Sequence, residues 1–507
     1  MRSLTGPERP WFAAGALLAL FAAAGCGNQY RPVVTPVTPS GPAPQPTAYL
    51  VAFSQPNLVR YGQTSGLAFP QSLCPATAST YDNGGVVTLI DFSGDSIMAQ
   101  ANVGPGPLTF ALDPSGSTAY SVNVTEATDS SGNPTGTCTS TLSTVPLSTS
   151  LQTNKVQNTT LPESNQVATV PTNILTTTSG QYVVEPFTSD LNGSPAIGVL
   201  TGSPPSLKLE IPVAPALINA VAVGNSNAQR LYAISQGNSQ GGNLKWGACD
   251  TPSSVTTTGE ADGIDFATNT VTSQLPLGVC PVYGLMTSDG RRTFILNRGS
   301  GTITVIDSYK NALDTNSPST YLKNATITVG AGPVHADIYS PSALLVTANY
   351  DDDSVSIIDV SINGAVQGYT DTANFGHVLA TVKLPSGSHP AAVTVLQDGS
   401  RAYTANEGNG TVSVINLSSF TVEKTLTVNG HPRSIASTYN YPAGKVYTVA
   451  QDSPYVTVIR TDTDIVSSSI LLQGYGVDLR TTTQYAGTSG TSANSITQSR
   501  SAGSGAP

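Results

Sequence analysis

The chain has 507 residues, of which only 10% are charged, with a formal net charge of −10 and 39% hydrophobic residues. That balance excludes a dense basic surface for nucleic acid, which needs Lys and Arg to displace counterions from phosphates. It excludes disorder of the whole chain, because there is enough apolar surface for a core. Abundant Gly and Pro (48 and 36 residues) beside Thr, Val and Tyr suit short strands and many turns rather than long helices.

In chain order, residues 1–25 read as an export signal. Arg2 and Arg9 flank the start, and Trp11 to Gly25 is an apolar run. It is shorter than the roughly 20 apolar residues a membrane-spanning helix needs. The run closes on Ala23-Ala24-Gly25 before Cys26, which resembles a bacterial lipobox, with Ala23 where that pattern usually has Leu. The resemblance implies lipidation of Cys26, hence attachment to a membrane through the lipid alone and residence in the cell envelope. Residues 26–47 are Pro-rich and form an extended tether. Residues 483–507 are a Gly/Ser/Thr/Ala tail expected to be disordered.

Residues 48–482 carry an internal repeat. Tyr403-Thr-Ala-Asn406 is followed by a Gly/Asn turn and Thr411-Val-Ser-Val-Ile-Asn416. The pattern returns at Val346-Thr-Ala-Asn349 with Ser354 to Asp359, at Phe294-Ile-Leu-Asn297 with Thr302 to Asp307, and at Tyr447-Thr-Val-Ala450 with Tyr455 to Arg460. A run ending in Asp-Gly precedes two of these pairs, at Asp289-Gly290 and Asp398-Gly399, a strong hairpin signal. A further strand follows, as at Thr421 to Val428. Four antiparallel strands per repeat are the sequence form of a propeller blade.

These residues resemble the YVTN-repeat (YncE-like) β-propeller family, clearly from Gly278 to Leu472 and more faintly at Tyr120, Tyr182 and Tyr232. WD40 repeats fit worse, with no Trp-Asp dipeptide, and Trp246 is the only Trp after Cys26, so tryptophan-docked quinoprotein blades are excluded. The expected fold is all-β, a single propeller. The Tyr-type strands at Tyr49, Tyr120, Tyr182, Tyr232, Phe294, Val346, Tyr403 and Tyr447 count eight blades; seven, common in the family, is the alternative. Innermost strands are expected to start at Pro107, Pro171, Pro215, Pro281, Pro333, Pro390 and Pro432, with Gly474 to Leu479 completing the first blade. N- and C-terminal strands would then share one blade and close the ring.

Candidate site residues follow from this order. Past Cys26 there are four cysteines, Cys74, Cys138, Cys249 and Cys280, and outside the cytoplasm an even set points to disulfides. Four cysteines allow three pairings; the placement of blades as neighbours favours Cys74–Cys138 and Cys249–Cys280. His335, His389 and His431 stand at the starts of three consecutive innermost strands, where imidazoles around a channel mouth could hold a divalent metal. The same position is a recurring turn in other blades, which is the simpler role. Asp351, Asp352 and Asp353 offer oxygens suited to calcium in a loop that is first of all a turn. No cofactor is otherwise expected, no catalytic residues are identifiable, and no His-Glu-x-x-His or phosphate-loop motif occurs. The expected function is a monomeric envelope lipoprotein whose propeller binds or scaffolds a protein, glycan or small ligand, without nucleic acid. The alternative is a propeller enzyme of lactonase or metal-dependent oxidoreductase type, which rests on fold analogy.

Overall fold

The computed structural model describes residues 49–482, except 57–83, 93, 132–133, 148–155, 162–168, 189–193, 223–228, 238–248, 250–253, 288, 340–342, 364–369, 397 and 439–443. Cys26, Cys74, the leader, the tether and the tail lie outside the described residues.

Eight antiparallel blades of four-stranded type form the ring of a β-propeller; in blade four the outer strand is split into two short pieces, Ala312–Leu313 and Thr326–Thr328. Innermost strands Pro107–Leu112, Asn173–Thr177, Leu217–Val221, Pro281–Met286, Pro333–Tyr339, Pro390–Val395 and Pro432–Ser437 begin blades one to seven in that order. The eighth, closing blade takes its innermost strand, Tyr475–Thr481, from the far end of the chain and its other three, Tyr49–Gln55, Val86–Asp91 and Ser96–Asn102, from the near end. Each innermost strand packs on the next, and the closing strand packs on those of blades seven and one, so the circle is complete. The backbones of Tyr49 and Thr482 are joined by a 2.8 Å hydrogen bond. Closure leaves each sheet only an outer edge.

Blade six shows why these sequences become blades. Pro390–Val395 is wholly buried, Arg401–Asn406 and Thr411–Asn416 are buried but for their ends, and Thr421–Thr427 is mostly exposed. Inner strands are therefore continuous apolar runs with β-branched residues, and only the rim strand is largely polar. The repeated Asn locks the hairpin between the second and third strands. Asn406 Nδ2 donates to Thr411 Oγ1 (3.0 Å) and Ser413 Oγ (2.8 Å), while Thr404 Oγ1 donates to Asn406 Oδ1 (2.8 Å). Asn349 and Asn297 repeat this with Ser354/Ser356 and Thr302/Thr304, and Asn123 with Thr141 and Ser143.

The repeated aromatic works between blades. Tyr232, Tyr403 and Tyr447 are fully buried, and each donates its hydroxyl to a left-handed Asn or Asp in the next blade: Asn311, Asp464 and Asp95 respectively. Asn and Asp tolerate that conformation better than other non-glycine residues. Beside these links, Arg401 pairs with Asp464, and Lys445 Nζ lies 2.7 Å from Asp95. The corresponding Arg292 of blade four is held by three carboxylates, Asp371 (2.8 Å), Asp314 (3.1 Å) and Asp307 (3.5 Å). Burial and the neighbouring Asp371 push Asp314 up to about 7, against the opposing pull of Arg292.

Two sequence expectations shift. The innermost strands of blades two and three start at Asn173 and Leu217, two residues after Pro171 and Pro215. In blade three the turn is made by Ala216 at φ +60°, and the strand ladder starts at Leu217, opposite Ser235.

Candidate functional site

The face carrying the innermost-strand starts and the second-to-third-strand loops is built on one recurring contact. The residue after the place of the repeated Asn, held by Ser235 in blade three, donates its backbone N–H to the carbonyl of a left-handed residue that precedes the innermost strand. This joins Val124 to Gly106 (2.9 Å), Gln236 to Ala216 (2.8 Å), Arg298 to Cys280 (2.7 Å), Tyr350 to Gly332 (2.7 Å) and Glu407 to His389 (3.2 Å). Sheet register places Gln451 of blade seven and Gln55 of the closing blade at the same position. Around the channel mouth this position therefore reads Gln236, Arg298, Tyr350, Glu407, Gln451 and Gln55 over six successive blades.

These side chains are buried or half-buried and alternate in character. Gln236 Nε2 donates to the Pro281 carbonyl (3.2 Å). Arg298 makes a two-point bond with Asp351 (2.8 and 3.1 Å), donates to the Cys249 carbonyl (2.7 Å) and lies 5.5 Å from the Tyr350 ring centre. Arg433, buried in the innermost strand of blade seven, donates Nε to Glu407 (2.9 Å) and Nη1 to Gln451 Oε1 (2.9 Å). Burial, and then Glu407, hold the Tyr350 phenol well above its ordinary range. The side-chain nitrogens of Gln451 and Gln55 are closed to solvent and have no hydrogen-bond partner among the described residues. Sequence reasoning missed this ring, because the position after the repeated Asn varies from blade to blade and only its place in the repeat marks it.

Below the mouth, a second ring runs along one shared level of the innermost strands, at the third residue for Thr109, Asn219, His335 and Ser434, the first for Asn173 and the fourth for Asp478. Asn173 Nδ2 donates to Asn219 Oδ1 (2.9 Å), Asn219 Nδ2 to the Val282 carbonyl (3.3 Å), and Ser434 and Thr109 to the two oxygens of Asp478 (2.7 and 3.3 Å). His335 belongs to this ring: it is buried, its Nδ1 accepts from Val393 N–H (3.3 Å) and its ring lies 4.6 Å from that of Tyr283.

The three predicted histidines thus stand at two levels. His389 and His431 are on the rim. His389, at φ +43°, stacks on Tyr350 (4.9 Å) with Nδ1 2.9 Å from the Tyr350 carbonyl. His431 Nδ1 pairs with Asp452 (2.6 Å). Among the described residues no three His, Cys, Asp or Glu side chains gather in a metal-ligating group. The proposed trio is not brought together, because His335 is the third residue of its strand whereas the other two precede theirs. The acidic run is also divided among separate tasks. Asp351 pairs with Arg298, Asp352 with Lys383 (3.1 Å), and Asp353 accepts the backbone N–H groups of Gly387 and His389 (both 2.7 Å).

The Cys249–Cys280 disulfide is present, with both residues fully buried. It ties the long loop of blade three to the first turn of blade four. Cys138 is also disulfide-bonded; Cys74, its expected partner, lies outside the described residues.

No family model matches the chain. No curated protein matches it either. Among solved structures, the dihydro-heme d1 dehydrogenase NirN superposes with a TM-score of 0.52 at 14% identity, over 88% of this chain and 77% of its own. AztD from Citrobacter koseri gives 0.46 at 14%, over 86% and 97%. The periplasmic gluconolactonase PpgL of Pseudomonas aeruginosa gives 0.45 at 13%, over 86% and 99%. At 14% identity what this chain shares with NirN is the β-propeller fold.

Proposed function

We propose that this chain is an exported, lipid-anchored binding module of the bacterial cell envelope, which meets a protein, glycan or small ligand at the channel mouth. The observation that carries the binding role is the polar ring of Gln236, Arg298, Tyr350, Glu407, Gln451 and Gln55, in which two buried amide nitrogens lack acceptors among the described residues. Buried donors are nearly always satisfied in native proteins, so such gaps favour a partner supplied from outside. Cys26 and its apolar leader support lipidation, and a buried disulfide suits an oxidising compartment. The net charge of −10 argues against nucleic acid.

The test has two arms. Cells expressing the full chain are fed labelled palmitate; label should enter the envelope fraction and be lost in Cys26→Ser. The purified domain is screened by thermal shift against glycans and small molecules, with Gln451→Ala beside it. Label retained in Cys26→Ser sinks the anchor, and hits unaffected by Gln451→Ala sink the mouth as the site.

One observation favours the second reading, a propeller enzyme. His431 and Asp452 form a 2.6 Å pair on the rim, and a carboxylate that orients an imidazole in this way is the arrangement of a general base. Hydrolysis of a lactone panel, abolished in His431→Ala, is the result that would support it.

A further inference from the structure

The opposite face of the ring, at the junction of blades three and four, carries a cavity of about 210 Å³ lined by Gln229, Arg230, Asp289, Arg291, Ser308 and Tyr309 among others. Its key residue is Arg230, the first of the second strand of blade three. The same place in blades four, six and seven is held by Arg292, Arg401 and Lys445. Those three cations are each matched by acid: Asp371, Asp314 and Asp307 for Arg292, Asp464 for Arg401, and Asp95 for Lys445.

Arg230 has no such match. In the next blade, the residue that accepts the Tyr232 hydroxyl, where blades seven and eight present Asp464 and Asp95, is Asn311. The carboxylate is replaced by a neutral amide at the one junction of the three where the cation borders this cavity. No ion pair to Arg230 occurs among the described residues; its Nη1 donates to the Ser308 carbonyl, and its Nε is closed to solvent without an acceptor. A half-buried guanidinium left without a counter-charge is costly, and a bidentate oxyanion is the partner its geometry fits best.

The rest of the lining extends this. Arg291 lies over the Tyr309 ring at 5.3 Å, and Asp289 pairs with it at 3.9 Å. Two arginines against one aspartate leave the cavity net positive in a chain of net charge −10. Tyr309 is 64% exposed and offers a flat apolar wall beside the charges. The space admits one small unit rather than an extended ligand.

We propose that this cavity binds the carboxylate of an acidic sugar, a uronate unit, with Arg230 as counter-charge and the Tyr309 ring against the sugar face. The site is separate from the channel mouth and does not depend on that reading.

The test is calorimetric titration of the purified full-length domain with sodium D-glucuronate, and with glucose and inorganic phosphate as controls. Glucuronate should bind and glucose should not. Arg230→Gln should weaken binding about tenfold or more, the loss of a charge-assisted bond. Tyr309→Ala, at an exposed position, should weaken it while leaving the melting temperature unchanged. Asn311→Asp restores the acid found in the neighbouring junctions; it should keep the fold and abolish binding, which covers the case of a misfolded Arg230 variant. No glucuronate binding, or binding indifferent to Arg230→Gln and Asn311→Asp, overturns the proposal. Phosphate binding as tightly as glucuronate, with Tyr309→Ala silent, overturns the sugar assignment.

Discussion

The hydroxyl of Tyr447 donates to Oδ1 of Asp95 across 3.0 Å, from blade seven into the blade that closes the ring. The two residues are 352 positions apart in the chain. Lys445 reaches the same carboxylate oxygen and the Phe92 carbonyl, both at 2.7 Å. One left-handed aspartate therefore satisfies a buried phenol and a largely buried ammonium together.

Removing the two halves of that link should have unequal effects. Tyr447→Phe deletes one hydrogen bond and should cost about 1–2 kcal/mol. Asp95→Ala also strands Lys445 beside apolar surface and should cost more, about 3 kcal/mol. Urea denaturation of the two variants checks this; equal effects would mean that Lys445 finds water instead.

The hairpin lock predicts a local cost. Asn406 is fully buried and makes two side-chain donations and one acceptance. Asn406→Ala leaves Thr404, Thr411 and Ser413 short of partners and should destabilise by about 2–3 kcal/mol. Asn406→Asp should do at least as badly, since a carboxylate cannot donate to the two hydroxyls. Melting temperatures of both variants, read against the unmodified domain, decide it.

Asp314 sets a pH dependence. Its folded value, about 7, lies above the ordinary 3.8, through burial first and Asp371 second. A raised carboxyl favours the folded state while it is protonated, so its contribution is fully present below pH 3.8 and is lost as pH rises through 7. Asp314→Asn mimics the protonated acid. The variant should match the parent at pH 4 and melt higher than it at pH 8. The opposite order, with the parent melting higher at pH 8, would mean that the ionised carboxylate is what Arg292 requires.

The disulfide should matter for stability. Cys249 and Cys280 are 31 residues apart, and cross-linking a loop of that size is worth about 3–4 kcal/mol in the chain-entropy account. Cys249→Ser with Cys280→Gly removes the bond and relieves the φ of +54° at Cys280, so it should cost less than Cys249→Ser with Cys280→Ala. Thermal melts of the two double variants test the difference.

The blade count, the shared closing blade and the Cys249–Cys280 bond were legible because each follows from the order of the repeats along the chain. The strand starts at Asn173 and Leu217 were not, since there the turn and the proline part company. The channel-mouth ring was hidden by its variety: Gln236, Arg298, Tyr350, Glu407, Gln451 and Gln55 share a place in the fold but range from amide to cation, phenol and acid. The histidines show the converse. His335, His389 and His431 look equivalent by spacing, yet a three-residue offset puts one inside the channel wall and two on the rim. Arg230 could not be singled out at all from its own neighbourhood. Its meaning depends on Asn311, 81 positions later, being an amide where its counterparts are acids.

The bond between Tyr49 and Thr482 spans 433 positions. Synthesis runs from the first residue to the last, so the strand Tyr49–Gln55 emerges early and must wait for nearly the whole remaining chain before Tyr475–Thr481 can join it. Through that interval its inner edge is open to any passing strand, and the ring cannot be finished by a prematurely terminated product. Until the last residues of the fold arrive, that edge stays unpaired, and pairing across so long a stretch of chain is slow and exposed to aggregation.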